Sequence, residues 1–313
     1  MISPVVLLTD NDLGDRQLEH QLLFDNLPRV DVVIADCRTE ADVLAAVEAC
    51  NPHAIVTQWA PISDAVFELA PRCAVVSRIG IGIDMIDVAA AERRRIAVRN
   101  VPHYCTEEVA THAVALALAL WRNISQFDAD VRRGVWKASS AAAGIGRLSQ
   151  ATVALVGAGR IGSLVARAFA PWGSRIIVHD PAPAEDAYPR VSLGEVAKHA
   201  DIISVHAPLN QHTHHMIDAE FFDRCERSPI LINTSRGGLV DLEAVVDAIH
   251  AGALRGAGLD VFETEPLDPT HQILSNSKVL VTPHAAWCSR DALPELRTQA
   301  IMNVVNALKE EAE

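Results

Sequence analysis

Three polar residues that are far apart in the sequence have side chains that together could reduce the keto group of a 2-keto acid. They are Arg236, Glu265 and His284. A guanidinium can bind a carboxylate through two parallel hydrogen bonds and polarise the carbonyl beside it. An imidazole can donate a proton to the carbonyl oxygen as hydride reaches the carbon, and a carboxylate on its far ring nitrogen would fix the tautomer and stabilise the imidazolium. We therefore predict that these three residues are catalytic.

Each of the three also has a plain structural interpretation. His284 precedes two alanines and could cap a helix, Arg236 precedes two glycines and could lie on the surface, and Glu265 precedes a proline and could be a loop charge. Each residue, however, follows a different short apolar run that reads as a strand. Because ligands bind at the carboxyl ends of the strands in open α/β sheets, a shared position at that edge favours catalysis.

A glycine-rich turn with the spacing G-x-G-x-x-G follows an apolar strand and opens a predicted helix that runs to about Trp172. Its residues are Gly157, Gly159, Arg160, Ile161 and Gly162. The first glycine permits the tight turn, the second lets the backbone approach a pyrophosphate, and the third allows the helix to pack closely on the strand. The two residues between the last glycines would offer backbone amides. A turn without a ligand is the alternative, and the strand–turn–helix context favours a dinucleotide.

Asp180 ends the next strand, about twenty residues beyond the glycines, where a carboxylate accepts hydrogen bonds from the adenosine ribose. A carboxylate there would repel a 2′-phosphate, and the following residues, 181–183, supply no arginine to bind one. We therefore expect NAD, as NADH in the reductive direction, rather than NADP. The alternative is that Asp180 only caps a turn.

The chain is long enough for two domains, since its 313 residues exceed what one compact core usually holds. Short β-branched runs alternate with helical segments in both halves, which predicts an α/β fold. The predicted strands are 5–8, 32–34, 54–56 and 74–76 in the first half, and 152–156, 175–178, 202–205, 230–232, 256–259 and 279–281 in the second. We also predict one long helix over about 107–132, a connector over 139–146, and a final helix over about 290–308 that returns to the first domain.

Composition argues against several other classes of protein. The formal net charge of −13 disfavours nucleic acid and anionic membranes as partners. The N-terminus lacks a signal-like apolar run, and the most apolar segment, 114–120, is too short to span a bilayer. Six scattered cysteines without a C-x-x-C pair are typical of reduced thiols. We therefore expect a cytoplasmic protein without disulfides.

Five segments together resemble the signature blocks of the D-isomer-specific 2-hydroxyacid dehydrogenase family, which includes phosphoglycerate, glycerate, formate and D-lactate dehydrogenases. They are 78–84, 157–162, 233–241, 259–266 and 282–284, in the order of the family. The resemblance implies an NAD-dependent D-2-hydroxyacid dehydrogenase, or 2-keto acid reductase. It also implies two Rossmann-like or flavodoxin-like α/β domains, each with a doubly wound parallel sheet, and a cleft between them. The substrate (catalytic) domain would be 1–100 plus 288–313, and the NAD-binding domain would be 101–287.

The resemblance further implies roles for residues that spacing alone does not single out. The cofactor would be contacted by Ala207, Pro208, Thr213, Thr234, Ser235, Arg236, Asp260 and His284, in addition to Asp180 and the glycine turn. The substrate would be bound by Arg78, Ile79, Gly80, Gly82, Arg236 and Trp287. Two departures from the family pattern, Thr111 in place of glutamate and Ile81 in place of a hydroxyl residue, could alter cofactor affinity.

Quaternary structure and the substrate side chain are less constrained. Dimers of the family form through the NAD domains, so the helix around 114–120 is either part of a homodimer interface or plain core. Trp287 would either select the substrate side chain or pack between domains. The identity of the 2-keto acid depends on loops around Gln58, Trp59 and Trp287 whose geometry the sequence does not give.

The sequences of two segments, 210–217 and 284–287, resemble those of the C-terminal binding protein group of dehydrogenase-like corepressors and their bacterial relatives. A regulatory protein that senses NAD(H) with little turnover is therefore a second hypothesis, against which the intact trio argues. An NAD-dependent hydrolase of the adenosylhomocysteine type is a weaker third. His212, His214 and His215 lack a partnering carboxylate in this stretch, so we expect no metal.

Overall fold

A computed structural model describes residues 3–10, 12–139, 144–183 and 187–311. The chain folds into two compact units. The first unit runs up to Tyr104 and resumes at Ser289, and the second runs from Cys105 to Cys288. The assignment of one unit to substrate and the other to cofactor stays a prediction.

The described part of the first unit holds a parallel sheet of five strands in the order β2-β1-β3-β4-β5. The strands are β1 (Val5–Leu8), β2 (Asp31–Ile34), β3 (Ala54–Thr57), β4 (Val75–Arg78) and β5 (Ala97–Arg99). The helices are α1 (Gln17–Asn26), α2 (Glu40–Cys50), α3 (Asp64–Leu69), α4 (Val88–Arg94) and, from the end of the chain, α11 (Ala292–Glu310). Both β3 and β4 are buried along their whole length, as expected where helices cover both faces of a parallel sheet.

The last helix, α11, is tied to the sheet and to α1 by two polar contacts. The Arg297 guanidinium is 2.6 Å from the carboxylate of Glu19, and Glu19 is almost completely buried. The Ser77 hydroxyl of β4 donates to the carbonyl of Ala300 at 2.8 Å. Residues on one face of α11 are buried in the first unit, among them Ala300 and Val304. The helix therefore belongs structurally to the N-terminal part of the chain.

The described residues of the second unit form a parallel sheet of six strands in the order β11-β10-β9-β8-β6-β7. The strands are β6 (Thr152–Val156), β7 (Arg175–His179), β8 (Ile202–Val205), β9 (Ile230–Asn233), β10 (Gly256–Leu259) and β11 (Val279–Val281). The helices are α5 (Thr106–Trp121), α6 (Ile124–Arg132), α7 (Arg160–Phe169), α8 (Leu193–His199), α9 (Ala219–Asp223) and α10 (Leu242–Ala251). The strand order reverses between β6 and β8, which is the switch point where such sheets bind ligands.

Two details of the sequence-based interpretation need correction. The helix predicted over 107–132 is two helices, α5 and α6, because Asn123 lies between them in the left-handed region with φ of +52°. Asparagine tolerates this conformation better than most residues, so it can end one helix and start another. The three-residue strand β5 was not predicted. The predicted connector, 139–146, lies partly outside the described residues, which exclude 140–143.

None of the helices in the described ranges is both long and apolar enough to cross a membrane.

Candidate active site

The glycine turn between β6 and α7 cannot accommodate side chains at two of its three glycines. Gly157 has φ of +95°, and a Cβ there would lie 2.6 Å from the carbonyl carbon of His206. A Cβ on Gly162 would lie 2.2 Å from the carbonyl oxygen of Gly157. A Cβ on Gly159, by contrast, would meet no described atom within 4 Å. The space beside Gly159 opens at the N-terminus of the ten-residue helix α7, where backbone amides and the helix dipole favour a phosphate.

Asp180 follows β7 and connects its end to the glycine turn. One carboxylate oxygen accepts from the backbone N–H of Ala158 and the other from that of Ala182, both at 2.7 Å. An arginine from further along the chain approaches this loop, because residue 190 folds back beside Val178 of β7. The guanidinium of Arg190 donates to the Asp180 carbonyl oxygen at 3.0 Å and also to the carbonyl of Pro181. The carboxylate thus holds the turn in place at the position predicted for ribose binding.

Two buried polar atoms at the switch point have no hydrogen-bond partner among the described residues. They are the Thr234 hydroxyl, just after β9, and Nδ1 of His206, just after β8. The other ring nitrogen of His206 is 2.8 Å from the Ser204 hydroxyl, and burial lowers the pKa of His206 to about 4, so the ring is neutral. Leaving such groups unpaired costs about 1–3 kcal/mol each. The polar edge of a nucleotide bound here would satisfy them, so these residues fit a dinucleotide. Sequence reasoning missed His206, although its place after β8 was visible.

Other predicted cofactor contacts are held in place by local bonds. The Ser235 hydroxyl donates to the Val205 carbonyl at 2.9 Å, which fixes the loop after β9 to the neighbouring strand β8. The Thr213 hydroxyl donates to the Pro208 carbonyl at 2.7 Å and accepts from the backbone N–H of Asn210 at 2.9 Å, which closes the loop that follows Ala207. Contact of these residues with the cofactor stays a prediction.

Glu265 and His284 form a direct hydrogen-bonded pair. Nδ1 of His284 lies 2.7 Å from one carboxylate oxygen of Glu265, and the other oxygen accepts from the backbone N–H of Phe262 at 2.8 Å. A carboxylate can only accept, so Nδ1 carries the hydrogen in this bond. Nε2, the opposite ring nitrogen, is therefore the atom that a proton-transfer role would use. The structure thus brings together two members of the predicted trio in the geometry that acid–base chemistry requires.

The backbone of His284 is held in an unfavourable conformation. Its φ is +52°, a region that costs on the order of 1–3 kcal/mol for a residue with a side chain. The N–H of His284 donates to the Asp260 carbonyl oxygen at 2.8 Å, and the Asp260 carboxylate accepts from the backbone N–H groups of Ala285 and Ala286 at 2.8 and 2.9 Å. These bonds offset the strain and aim the imidazole.

The Asp260 carboxylate is completely buried and belongs to a polar network that sequence reasoning did not find. The Thr282 hydroxyl donates to it, and Nε2 of His112, from helix α5, lies 3.0 Å from that hydroxyl and 3.7 Å from the carboxylate. The only sign of this network in the sequence was that its members lie in or next to motif residues already named. Direct contact of Asp260 with the nicotinamide stays a prediction, and the observed bonds make Asp260 a positioning residue for His284.

Arg236 follows β9, the strand next to β10. The side-chain amide of Asn233 donates to the Arg236 carbonyl at 2.8 Å, and the guanidinium of Arg236 donates to the Ser235 carbonyl at 2.7 Å. At the next residue, Gly237, a Cβ would lie 1.9 Å from the carbonyl carbon of Phe262. The loop of Arg236 is therefore pressed against the loop of Glu265. Since β9, β10 and β11 are adjacent and parallel, all three members of the trio follow strands at one edge of the sheet.

The predicted substrate residues fall in both units. Arg78 ends β4 in the first unit, is 5% exposed, and places its guanidinium 5.3 Å from the ring centre of Trp59. Ile79, Gly80 and Gly82 follow it in the same unit. Trp287 lies in the second unit, shortly after His284, and is partly exposed. Their roles in substrate binding stay predictions.

Known proteins are similar to this chain in sequence and in fold. Residues 114–286 match the model of the family described as D-isomer specific 2-hydroxyacid dehydrogenase, NAD binding domain. A glyoxylate reductase from Korarchaeum cryptofilum is 38% identical over 253 residues, which cover 78% of this chain and 76% of that protein. A D-3-phosphoglycerate dehydrogenase from Mycobacterium leprae is 37% identical over 97% of this chain. This chain covers only 57% of the length of that dehydrogenase.

Solved structures lead to the same family. A D-lactate dehydrogenase from Aquifex aeolicus, complexed with NAD and lactic acid, matches with a TM-score of 0.86 and 26% identity over 98% of this chain and 96% of its own. TT0316 protein from Thermus thermophilus matches with a TM-score of 0.84 and 33% identity, over 98% of this chain and 97% of its own. The predicted α/β fold with two parallel sheets is confirmed, whereas the resemblance to the corepressor branch stays a prediction. Together with the family match over more than half of the sequence, these relatives show that the chain belongs to the D-isomer-specific 2-hydroxyacid dehydrogenase family.

Proposed function

We propose that this chain is an NAD(H)-dependent reductase of 2-keto acids, which also oxidises the corresponding D-2-hydroxy acids. The observation that carries the proposal is the hydrogen bond between Glu265 and His284 at the edge of a dinucleotide-type sheet. Membership of the family supports an oxidoreductase that uses a nicotinamide cofactor. The substrate class is taken from relatives named glyoxylate reductase and from the neighbour bound to NAD and lactic acid.

The residues of the site divide the work of carbonyl reduction. The cofactor, when bound, supplies the hydride. Arg236 binds the substrate carboxylate and polarises the adjacent carbonyl, which makes its carbon more electrophilic. His284 gives the proton on Nε2 to the carbonyl oxygen, which becomes the hydroxyl of the product. Glu265 stabilises the imidazolium before the transfer and keeps the ring oriented afterwards. In the oxidative direction the same imidazole accepts the hydroxyl proton.

The alternative of a regulatory protein with little turnover is not favoured. The relatives with high identity are named reductases and dehydrogenases. The Glu265–His284 bond and the network around Asp260 are also what proton transfer requires, whereas a sensor would need only the dinucleotide site.

The direct test of this function follows the absorbance of NADH while the purified chain is mixed with a panel of 2-keto acids. The panel contains short, branched, aromatic and phosphorylated members, because the side-chain specificity is open. We expect NADH oxidation with at least one of them and formation of the D-hydroxy acid, identified by chiral chromatography. Absence of oxidation throughout the panel, in a chain shown by fluorescence to bind NADH, would exclude the proposed reaction and favour the sensor.

We further propose that the cofactor is NAD(H) rather than NADP(H), because the Asp180 carboxylate follows β7 at the position predicted for ribose binding. Replacing Asp180 with asparagine keeps an acceptor for the backbone N–H of Ala158 while removing the negative charge. We expect the ratio of kcat/KM for NADH to that for NADPH to fall by about tenfold or more, since one charge repulsion of about 1.4 kcal/mol corresponds to that factor. An unchanged ratio would show that Asp180 only holds the turn.

A homodimer formed by the second unit is a further part of the proposal. Three residues of the segment 114–120, Leu116, Ala117 and Leu120, are buried in the core, which favours the core interpretation for that face of α5. The exposed apolar surface lies instead on α6 and just after it, at Ile124, Val131, Val135 and Trp136. Trp136 is 87% exposed, which is unusual for a tryptophan outside an interface. Analytical ultracentrifugation should give a mass twice the 33.8 kDa of one chain, and Trp136→Arg should shift this mass toward that of a single chain.

We also propose a cytoplasmic location. None of the six cysteines forms a disulfide within the described residues. Burial raises the pKa of Cys73 to about 12, so that this thiol stays protonated and unreactive.

A further inference from the structure

Two histidines and one glutamate that are not members of the catalytic trio form a cluster, which we call the His-His-Glu cluster. It consists of His214, His215 and Glu263. Nε2 of His214 is 3.0 Å from one carboxylate oxygen of Glu263, and Nε2 of His215 is 3.0 Å from the other. The expectation that no carboxylate accompanies these histidines is wrong. Glu263 is remote in sequence, and the loop after β10 brings it to them.

Backbone contacts hold the loops that carry these side chains. His215 has φ of +48°, and its N–H donates to the Gly238 carbonyl at 2.8 Å. The rings of His214 and His215 stack with their centres 4.0 Å apart and their planes at 21°. On the other side, the backbone of Glu263 is in contact with Gly237 so closely that no Cβ would fit between them. The cluster is therefore built by two loops whose backbones are locally fixed.

The donor atoms suit a metal ion. One ligand atom from each residue lies within 4.8 Å of the others, close to the spacing that a shared ion with bonds of about 2.0–2.2 Å requires. Two imidazole nitrogens and a carboxylate favour Zn²⁺ and neighbouring transition metals over Mg²⁺ or Ca²⁺, which prefer oxygen ligands. Side chains of His214 and Glu263 are about half exposed, so an ion can reach them from solvent.

We propose that the His-His-Glu cluster binds a divalent transition-metal ion, with Zn²⁺ as the probe of choice. The ligands are Nε2 of His214, Nε2 of His215 and the carboxylate of Glu263, and water completes the coordination. A modest rotation of the two stacked rings directs both Nε2 atoms at the ion. The ion then takes the place of the hydrogen atoms that these nitrogens share with the carboxylate. The cluster shares no residue with the catalytic trio.

Isothermal titration of the chelator-treated full chain with ZnCl₂ tests this proposal. The titrations use a Cys288→Ser background, because Cys288 is an exposed thiol that could bind zinc itself. We expect one ion per chain, and at least about tenfold weaker binding in each of His214→Gln, His215→Gln and Glu263→Gln. The matched control is His212→Gln, which removes a histidine of the same loop outside the cluster and should leave the affinity unchanged. Thermal unfolding and NADH binding confirm that each variant is folded.

A second measurement needs no ligand substitution. Diethylpyrocarbonate modifies accessible imidazoles, and peptide mass spectrometry locates the modified residues. Zn²⁺ should protect His214 and His215 from modification, and His212 should react equally with and without the ion. The proposal is overturned if the chain binds no Zn²⁺, if the three variants bind it as the parent does, if the control loses as much affinity as they do, or if protection does not appear at His214 and His215. None of these readouts depends on enzymatic activity.

Discussion

Replacement of His284 by glutamine is expected to lower kcat for keto-acid reduction by about 10²–10⁴-fold, the range that a positioned general acid contributes. Glutamine can still accept or donate a hydrogen bond, but it cannot supply a proton to the carbonyl oxygen. The imidazole lies against Glu265 and does not hold the glycine turn, so we expect the dissociation constant of NADH to change little. Steady-state kinetics and fluorescence titration with NADH measure the two quantities separately.

The chain offers a matched control for this variant. His271 also pairs with a glutamate, since its Nε2 lies 3.1 Å from a carboxylate oxygen of Glu243, and its side chain is buried to a similar degree. This pair has no place among the catalytic segments, so His271→Gln should retain the parental kcat. The kcat of Glu265→Gln should lie between those of His284→Gln and His271→Gln. Glutamine can still accept a hydrogen bond from the N–H of Phe262, but it carries no charge to stabilise an imidazolium. Equal activity of His284→Gln and the parent chain would remove His284 as the proton donor.

Replacement of Arg236 by glutamine is expected to lower kcat/KM for the 2-keto acid by about 10²–10³-fold, or roughly 3–4 kcal/mol, which lies within the range of about 2–5 kcal/mol lost when one partner of a buried charge pair is removed. The loss should fall on substrate binding and on the chemical step together, because the guanidinium binds the carboxylate and polarises the carbonyl. Arg236→Lys should recover only part of the loss, since an ammonium keeps the charge but not the two parallel donors. Steady-state kinetics with a varied keto acid at saturating NADH give these values.

Arg236 was also predicted to contact the cofactor, and the same variants distinguish the two roles. If the guanidinium binds mainly the substrate, the dissociation constant of NADH is the same for Arg236→Gln and the parent chain. Arg224→Gln is the control, because Arg224 forms an exposed ion pair with Glu220 on helix α9 and should affect neither quantity. A loss of NADH affinity equal to the loss in kcat/KM would assign Arg236 to the cofactor and refute its proposed role on the carboxylate.

The elements that the sequence predicted best are the buried strands. Strands β6 and β8 are buried along their full length, so each appears in the sequence as a mostly apolar run, broken only by Thr152 in β6 and Ser204 in β8, and their predicted boundaries agree with the structure. The break between α5 and α6 was missed because the apolar pattern continues through it. The change of direction depends on one asparagine with positive φ, and such a residue leaves no trace in periodicity.

The members of the proposed catalytic trio could be predicted from motifs, but the residues that support them could not. Glu265 and His284 were predicted as partners because each stands in a characteristic segment, and the structure confirms their contact. The bonds from Asp260 to Ala285 and Ala286 depend on how two strand ends are packed, which spacing does not encode. For the same reason sequence reasoning missed the approach of Arg190 to Asp180 and of Glu263 to two histidines.

The close approach of Gly237 to the backbone of Phe262 has a mechanical consequence. The peptide group after Arg236 and the peptide group that leads to Glu265 touch where not even a methyl group would fit. A displacement of either loop must therefore push the other. In the proposed mechanism, this contact keeps the Arg236 guanidinium, which binds the substrate carboxylate, aligned with the His284 imidazole, which supplies the proton.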